Sequence, residues 1–232
     1  MKKILSLVFL AVLISSACAQ SFVNLNFESA SGIPSGPPQG VVFLDWNLAV
    51  PGWSHSSGGD TSQVFYFSEH LGLSQYYLLM SADSPYYATN TQLAGRYSLA
   101  FASGVSNAAA GGASPSNPWI NAYIAETGLI SPAAMSVRML ATGPFQVFIN
   151  GTLIDMQSLG GNLYGGDVAA FAGSVAELKI VNTAPVGMVH TPTVVDNVVF
   201  SPSPVPEPAA GLLVAGGLAG LAFLKRPRAG GH

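Results

Sequence analysis

Carboxylates, histidines and a crowd of aromatic rings are the side chains of this 232-residue chain that could do chemistry. Hydrolysis of a glycoside needs two carboxylates held several ångströms apart across one sugar. Ten Asp and Glu residues lie between Gln20 and Ser203, and Asp60 and Glu69 fall in the most aromatic stretch, but no catalytic motif surrounds either. There is no G-x-S-x-G nucleophile elbow and no H-E-x-x-H zinc signature. His55, His70 and His190 stand alone, as surface or half-buried strand residues would. Gly58-Gly59 and Gly111-Gly112 lack the Lys-Ser/Thr or helix that a phosphate cradle requires. Cys18 is the single cysteine, which excludes a disulfide framework and a Cys-rich zinc site.

The aromatic group is more informative. Trp53, Phe65, Tyr66, Phe67, Tyr76, Tyr77, Tyr86 and Tyr87 fall within residues 53–87. Sugar rings stack their C–H faces on flat π-surfaces and hydrogen-bond at their edges. Trp53, Tyr66, Tyr77 and Tyr87 are therefore the candidate glycan contacts, although alternation along strands would also send half of such a set into the core. Charge narrows the partners further. Only 8% of residues are charged, against about 25% in ordinary soluble domains, which argues against coiled coil, disordered tail and nucleic-acid binder. Between Gln20 and Ser203 the basic residues are Arg96, Arg138 and Lys179, so acids outnumber them and phosphate backbones are repelled.

Strands must position these residues. Period-2 alternation of apolar and polar residues marks 23–27, 97–101, 145–149 and 177–181, and 194–200 reads as a closing strand with few polar positions. Further candidates are 41–46, 64–67, 76–80, 120–125 and 133–140. Asn150-Gly151 suits a type I′ hairpin turn, with Leu153-Ile154 beginning the return strand; this explains Asn150-Gly151-Thr152 better than a glycosylation acceptor does. Helix is confined to a turn or two at 168–172, with Asp167 as N-cap and Gly173 as its stop. Some ten short strands with Gly, Pro, Ser and Asn punctuation predict an all-β, two-sheet antiparallel sandwich over residues 20–203.

The flanks read as processing signals. Residues 1–19 have the three-part form of a secretory signal peptide: Lys2-Lys3, the apolar Ile4–Ile14, and Ala17-Cys18-Ala19 before Gln20. That makes the Sec translocon a transient partner. Cleavage after Ala19 leaves a mature chain without cysteine; lipidation at Cys18 is the alternative processing. At the other end, Ser201–Pro208 alternates proline and favours an extended polyproline II spacer. Residues 209–224 are uncharged, and Lys225, Arg226 and Arg228 follow. As a helix that run is roughly 24 Å long, close to a membrane span if Lys225 snorkels. The basic end, as a membrane stop, would stay on the cytoplasmic side of the inner membrane. A buried core helix is the alternative, although Gly211, Gly216, Gly217 and Gly220 disfavour it in water.

Pro206-Glu207-Pro208, the small-residue span and the Arg-rich end together resemble the PEP-CTERM sorting signal, over residues 205–228. The resemblance implies an exosortase as transient partner, removing the tail near Pro206, Glu207 and Pro208, in a bacterium that makes exopolysaccharide. Those three residues would be a recognition motif and not catalytic groups. Within the middle domain, Asn26-Phe27-Glu28, Val50-Pro51-Gly52-Trp53, Tyr164–Asp167, Phe171–Gly173, Glu177–Lys179 and Val195–Val198 resemble galactose-binding-like jelly rolls of secreted bacterial proteins. That resemblance implies a jelly roll with its first and last strands side by side, often a carbohydrate-binding module without catalysis. Glu28 and Asp196 would then be candidate oxygen ligands of a structural Ca²⁺. The chain departs from the fuller pattern in carrying Leu25-Asn26 where Asn-Gly is usual.

The expected protein is thus an exported, exosortase-sorted surface or matrix protein. Its non-enzymatic sandwich would act as a structural or adhesive module, glycan binding being one such role, in association with exopolysaccharide or biofilm. The rival expectation is a secreted polysaccharide-active hydrolase or lyase using an Asp/Glu pair.

Overall fold

The computed structural model describes residues 20–34, 42–56, 63–66, 74–81, 93–105, 118–188 and 191–206. Sixteen strands and turns follow in order: β1 (Val42–Asp45), α1 (Trp46–Ala49), β2 (Ser54–His55), β3 (Gln63–Tyr66), β4 (Tyr76–Ser81), β5 (Tyr97–Ala102), β6 (Gly104–Val105), β7 (Trp119–Ile120), β8 (Tyr123–Leu129), β9 (Ser136–Thr142), β10 (Phe145–Ile149), β11 (Thr152–Ile154), β12 (Gln157–Gly160), β13 (Leu163–Asp167), β14 (Val175–Asn182) and β15 (Thr193–Ser201). One sheet runs β1-β3-β4-β5-β15-β9-β13-β12, and the facing sheet runs β11-β10-β14-β8-β2. The fold is the expected all-β sandwich of two sheets, with β6 and β7 pairing apart from both. Its named strands pair antiparallel except for β3 and β4, which are parallel and so need a crossover between them instead of a hairpin.

Alternation builds the core. In β14, Ala176, Leu178 and Ile180 point inward while Val175, Glu177 and Lys179 point away. Facing them across the sandwich are Leu99 and Phe101 of β5, Val137 and Met139 of β9, and Val195 of β15, all sealed from solvent. Each such aliphatic or aromatic side chain contributes about 1.5–3 kcal/mol by leaving water. The β10–β11 hairpin turns at Asn150 (φ 48°) and Gly151 (φ 76°), the two left-handed positions of a type I′ turn.

Several expectations are corrected. Residues 23–27 form turns, not a strand, because Asn24 (φ 55°) and Phe27 (φ 56°) adopt left-handed backbone that breaks the pleat. The first segment nevertheless lies beside the last strand, with the Val198 N–H donating to the Leu25 carbonyl at 2.9 Å. The strand at 41–46 ends one residue early, where the Asp45 carboxylate accepts from the Asn47 N–H and caps the single turn of α1. The stretch 120–125 divides into β7 and β8. The expected helix is a 3₁₀ turn at 169–171, with Asp167 accepting from the Ala169 N–H at 2.8 Å and Gly173 (φ 76°) after it.

The expected signal peptide at 1–19, the expected span at 209–224, and Glu207, Pro208, Lys225, Arg226 and Arg228 lie outside the described residues. Among the described residues no helix is long and apolar enough to cross a membrane.

Candidate functional site

The aromatic candidates for glycan contact turn inward. Trp53 is 4% exposed, stacks on Phe27 at 5.5 Å and donates its indole N–H to the Asn24 carbonyl. Tyr66 is 2% exposed in the main core. The Tyr77 ring meets Trp46 and His55 edge-on, and its hydroxyl bonds Ser56 Oγ at 2.6 Å and the Tyr123 carbonyl at 3.0 Å. Burial pushes the Tyr77 hydroxyl up to about 12 against its hydrogen bonds to Ser56 and Tyr123. No saccharide can stack on rings so enclosed, so Trp53, Tyr66 and Tyr77 are structural residues. Tyr87 lies outside the described residues, as do Asp60, Glu69, His70 and His190. His55 is half-buried between Trp46 and Tyr77 and is a packing residue.

Glu28 and Asp196 do come together, across the turn that leads into β5. Glu28 Oε1 accepts from the N–H groups of Arg96 (2.6 Å) and Tyr97 (3.0 Å). Asp196 Oδ2 accepts from the Ala94 N–H (2.9 Å) and the Ser98 hydroxyl (2.7 Å), and Oδ1 accepts from the Asn197 N–H (2.6 Å). Burial raises the Asp196 carboxyl to about 6, opposed by these hydrogen bonds, with the nearby Glu28 charge adding to the rise. A calcium ion wants six to eight oxygens facing it. Here three of the four carboxylate oxygens face N–H and O–H donors, and no group of three or more Asp, Glu, His or Cys assembles among the described residues. As arranged, the pair does not fit calcium. It clamps the 93–97 turn onto the last strand.

A third carboxylate is one the sequence reading passed over. Glu126 occupies a core-facing position of β8, between Ile124 and Gly128 in the alternation, and is 5% exposed. Its Oε1 accepts the Val23 N–H, while Oε2 has no partner among the described residues. Burial raises this carboxyl to about 7, the Val23 hydrogen bond opposing the rise. Gly52 (φ 91°) leaves the space beside it that a Cβ would crowd, 3.1 Å from Oε1. The signal that could have found Glu126 is its parity with Ile124.

Concave surface lies elsewhere, at one lateral edge of the sandwich. β11 ends the five-stranded sheet and β12 ends the other, so Asp155-Met156 carries the chain across the rim between them. On one side of this link is a hollow of about 660 Å³ framed by Phe145 and Tyr164, whose rings meet edge-on at 4.9 Å and 87°. On the other side is a hollow of about 530 Å³ closed in part by Pro204, Val205 and Pro206. These last residues belong to the proline spacer, which is fastened to the body. Ser136 Oγ donates to the Ser203 carbonyl at 2.7 Å, and Arg138 donates to the carbonyls of Ser203 (3.3 Å) and Pro204 (3.0 Å). Pro206, first residue of the expected sorting motif, therefore sits against the sandwich, and Glu207 and Pro208 follow outside the described residues.

No protein-family model and no curated protein matches the chain. Among solved structures, it is similar to the crystal structure of Caldicellulosiruptor saccharolyticus CBM27-1 in complex with mannohexaose, at 11% identity and a TM-score of 0.33, over 72% of this chain and 100% of that one.

Proposed function

We propose that this chain is an exported protein whose β-sandwich is delivered to the cell surface or extracellular matrix as a non-catalytic, glycan-associated module, its C-terminal signal being removed by an exosortase. The observation that carries this reading is where the sandwich's own hydrogen bonds begin and end relative to the two signals. The Gln20 carbonyl accepts from the Leu129 N–H at 2.8 Å, directly after the small-residue cleavage site. Ser203 and Pro204 are held by Ser136 and Arg138, directly before the Pro206-Glu207-Pro208 motif. Cuts at those two places would leave every one of these contacts intact. Three of the four oxygens of the close pair Glu28 and Asp196 accept from N–H groups and the Ser98 hydroxyl of the fold itself, which supports a binding module over a hydrolase.

Mass spectrometry of the extracellular form tests the processing. We expect Gln20 at the front and the loss of Ala209–His232, and a mature species that retains that tail would refute exosortase handling. Glu207→Ala, or deletion of residues 209–228, should change the fate of the tail without unfolding residues 20–203. A reducing-sugar assay run beside polysaccharide pull-downs separates module from enzyme, since sugar release abolished by one Asp or Glu substitution would replace the module reading.

A further inference from the structure

We propose that the hollow framed by Phe145 and Tyr164 is the glycan site and that it takes a stretch of neutral polysaccharide; this rests on the module reading above and gives it a place. Four polar side chains ring the hollow: Gln146, Asp155, Tyr164 and Thr183. None of their side-chain polar atoms is used in a hydrogen bond among the described residues, whereas the buried Asn182 and Thr193 nearby are bonded to each other. Polar groups that a fold does not use, gathered around an aromatic pair in an open hollow, are what a hydroxyl-rich ligand needs. The ring pair offers apolar surface to the C–H face of a sugar. The Asp155 carboxylate and the Gln146 amide offer acceptors and a donor to its hydroxyls.

Charge selects the ligand class. Among the described residues Asp155 is the one charged side chain lining the hollow, and no Lys or Arg lines it. An anionic polymer would meet an uncompensated carboxylate and find no Arg or Lys, so neutral glycans are favoured over uronate-rich ones. The volume of about 660 Å³ lies in the range of ligand sites, roughly 300–1,000 Å³. The hollow is also continuous with an edge, where β11 and β12 leave their sheets, so a chain can enter and leave along the rim.

The test is retention of the full chain, in detergent, on insoluble glucomannan, cellulose and β-1,3-glucan, with alginate as the anionic comparison and a Pro-rich peptide as competitor. Wild-type protein should be retained by at least one neutral polymer and not by alginate, and the peptide should not displace it. The double variant Gln146→Ala/Asp155→Ala removes two exposed side chains that hydrogen-bond nothing among the described residues, and should bind about tenfold more weakly. Tyr164→Phe keeps the ring pair and should show a smaller loss. Unchanged retention of the double variant would overturn this location while leaving glycan binding in place. Retention on alginate, or displacement by the peptide, would overturn the ligand class. Failure of the wild type on every neutral polymer would overturn both the site and the module reading.

Discussion

Replacing Glu126 by Gln should stabilise the protein above neutral pH and do little below pH 5. In the folded chain the carboxyl is raised from 4.5 to about 7, burial being the cause and the Val23 hydrogen bond opposing it. Between those two values the folded state holds a proton that the unfolded state releases. Stability is therefore full below 4.5, falls as pH rises, and reaches its floor above about 7. Integrated over that window, the loss is about 3 kcal/mol. Glu126→Gln keeps an acceptor for the Val23 N–H and never ionises, so it recovers most of that loss at pH 8. For a domain of this size the gain corresponds to roughly 5–10 °C in Tm. Asp196 titrates in the same direction, raised by burial from 3.8 to about 6, so the wild type keeps some pH dependence from it and only the difference between variant and wild type reports on Glu126. Urea midpoints at pH 5 and pH 8 measure it. Parallel curves for the two proteins, or a variant less stable at pH 8, would refute the assignment of a buried carboxyl with one orphan oxygen.

Asp196→Asn should cost about 2–3 kcal/mol in urea unfolding, because three donors now facing carboxylate oxygens would meet an amide that can answer only some of them. Gly143→Ala should cost more than about 1 kcal/mol, since φ is 78° there and the added Cβ would run into the Pro192 carbonyl. Arg138→Ala should leave thermal stability within about 1 kcal/mol yet speed proteolysis at 203–206, where the spacer loses its two guanidinium contacts; an unchanged digestion rate would show that Ser136 alone fastens it.

Alternation located β10 residue for residue because that strand has one wet face and is followed by Asn150-Gly151, whose left-handed backbone admits little besides a hairpin. It misjudged β5, whose Ser98 and Ala100 look like an outward face. Both faces of that strand are buried: on the outer one Ala100 packs with Leu78 and Met80 of β4 and Val194 of β15, and Phe65, Tyr76 and Leu93 pack against them. The aromatic stretch misleads for a different reason, Trp53, Tyr66 and Tyr77 all lying in the main core: residue type tells that a ring wants contact, not whether sugar or protein supplies it. β12 and β13 escaped notice because Ser158, Gly160, Gly165 and Gly166 interrupt the apolar alternation that marks the other strands. Gly166 is there for closeness, a Cβ at that position meeting Ile154 and Met156. The hollow at Phe145 and Tyr164 could not be read from the chain, since its rings come from different sheets. What carried over was the pairing of first segment with last strand, which brought Glu28 to Asp196, although to hold a turn.

The scarce charges of this domain are spent on fastening. Glu126 holds the first residues, Glu28 and Asp196 hold the turn before β5, and Arg138 holds the spacer. Among the described residues lining the edge hollow only Asp155 is charged. Recognition of an uncharged sugar there has to come from ring stacking and short-range hydrogen bonds, neither of which depends on a charge carried by the ligand. Binding of a neutral polysaccharide should accordingly be insensitive to added NaCl, as read from retention at low and high salt. A steep loss with salt would place the contact on charged residues elsewhere on the surface and remove the edge hollow as its site.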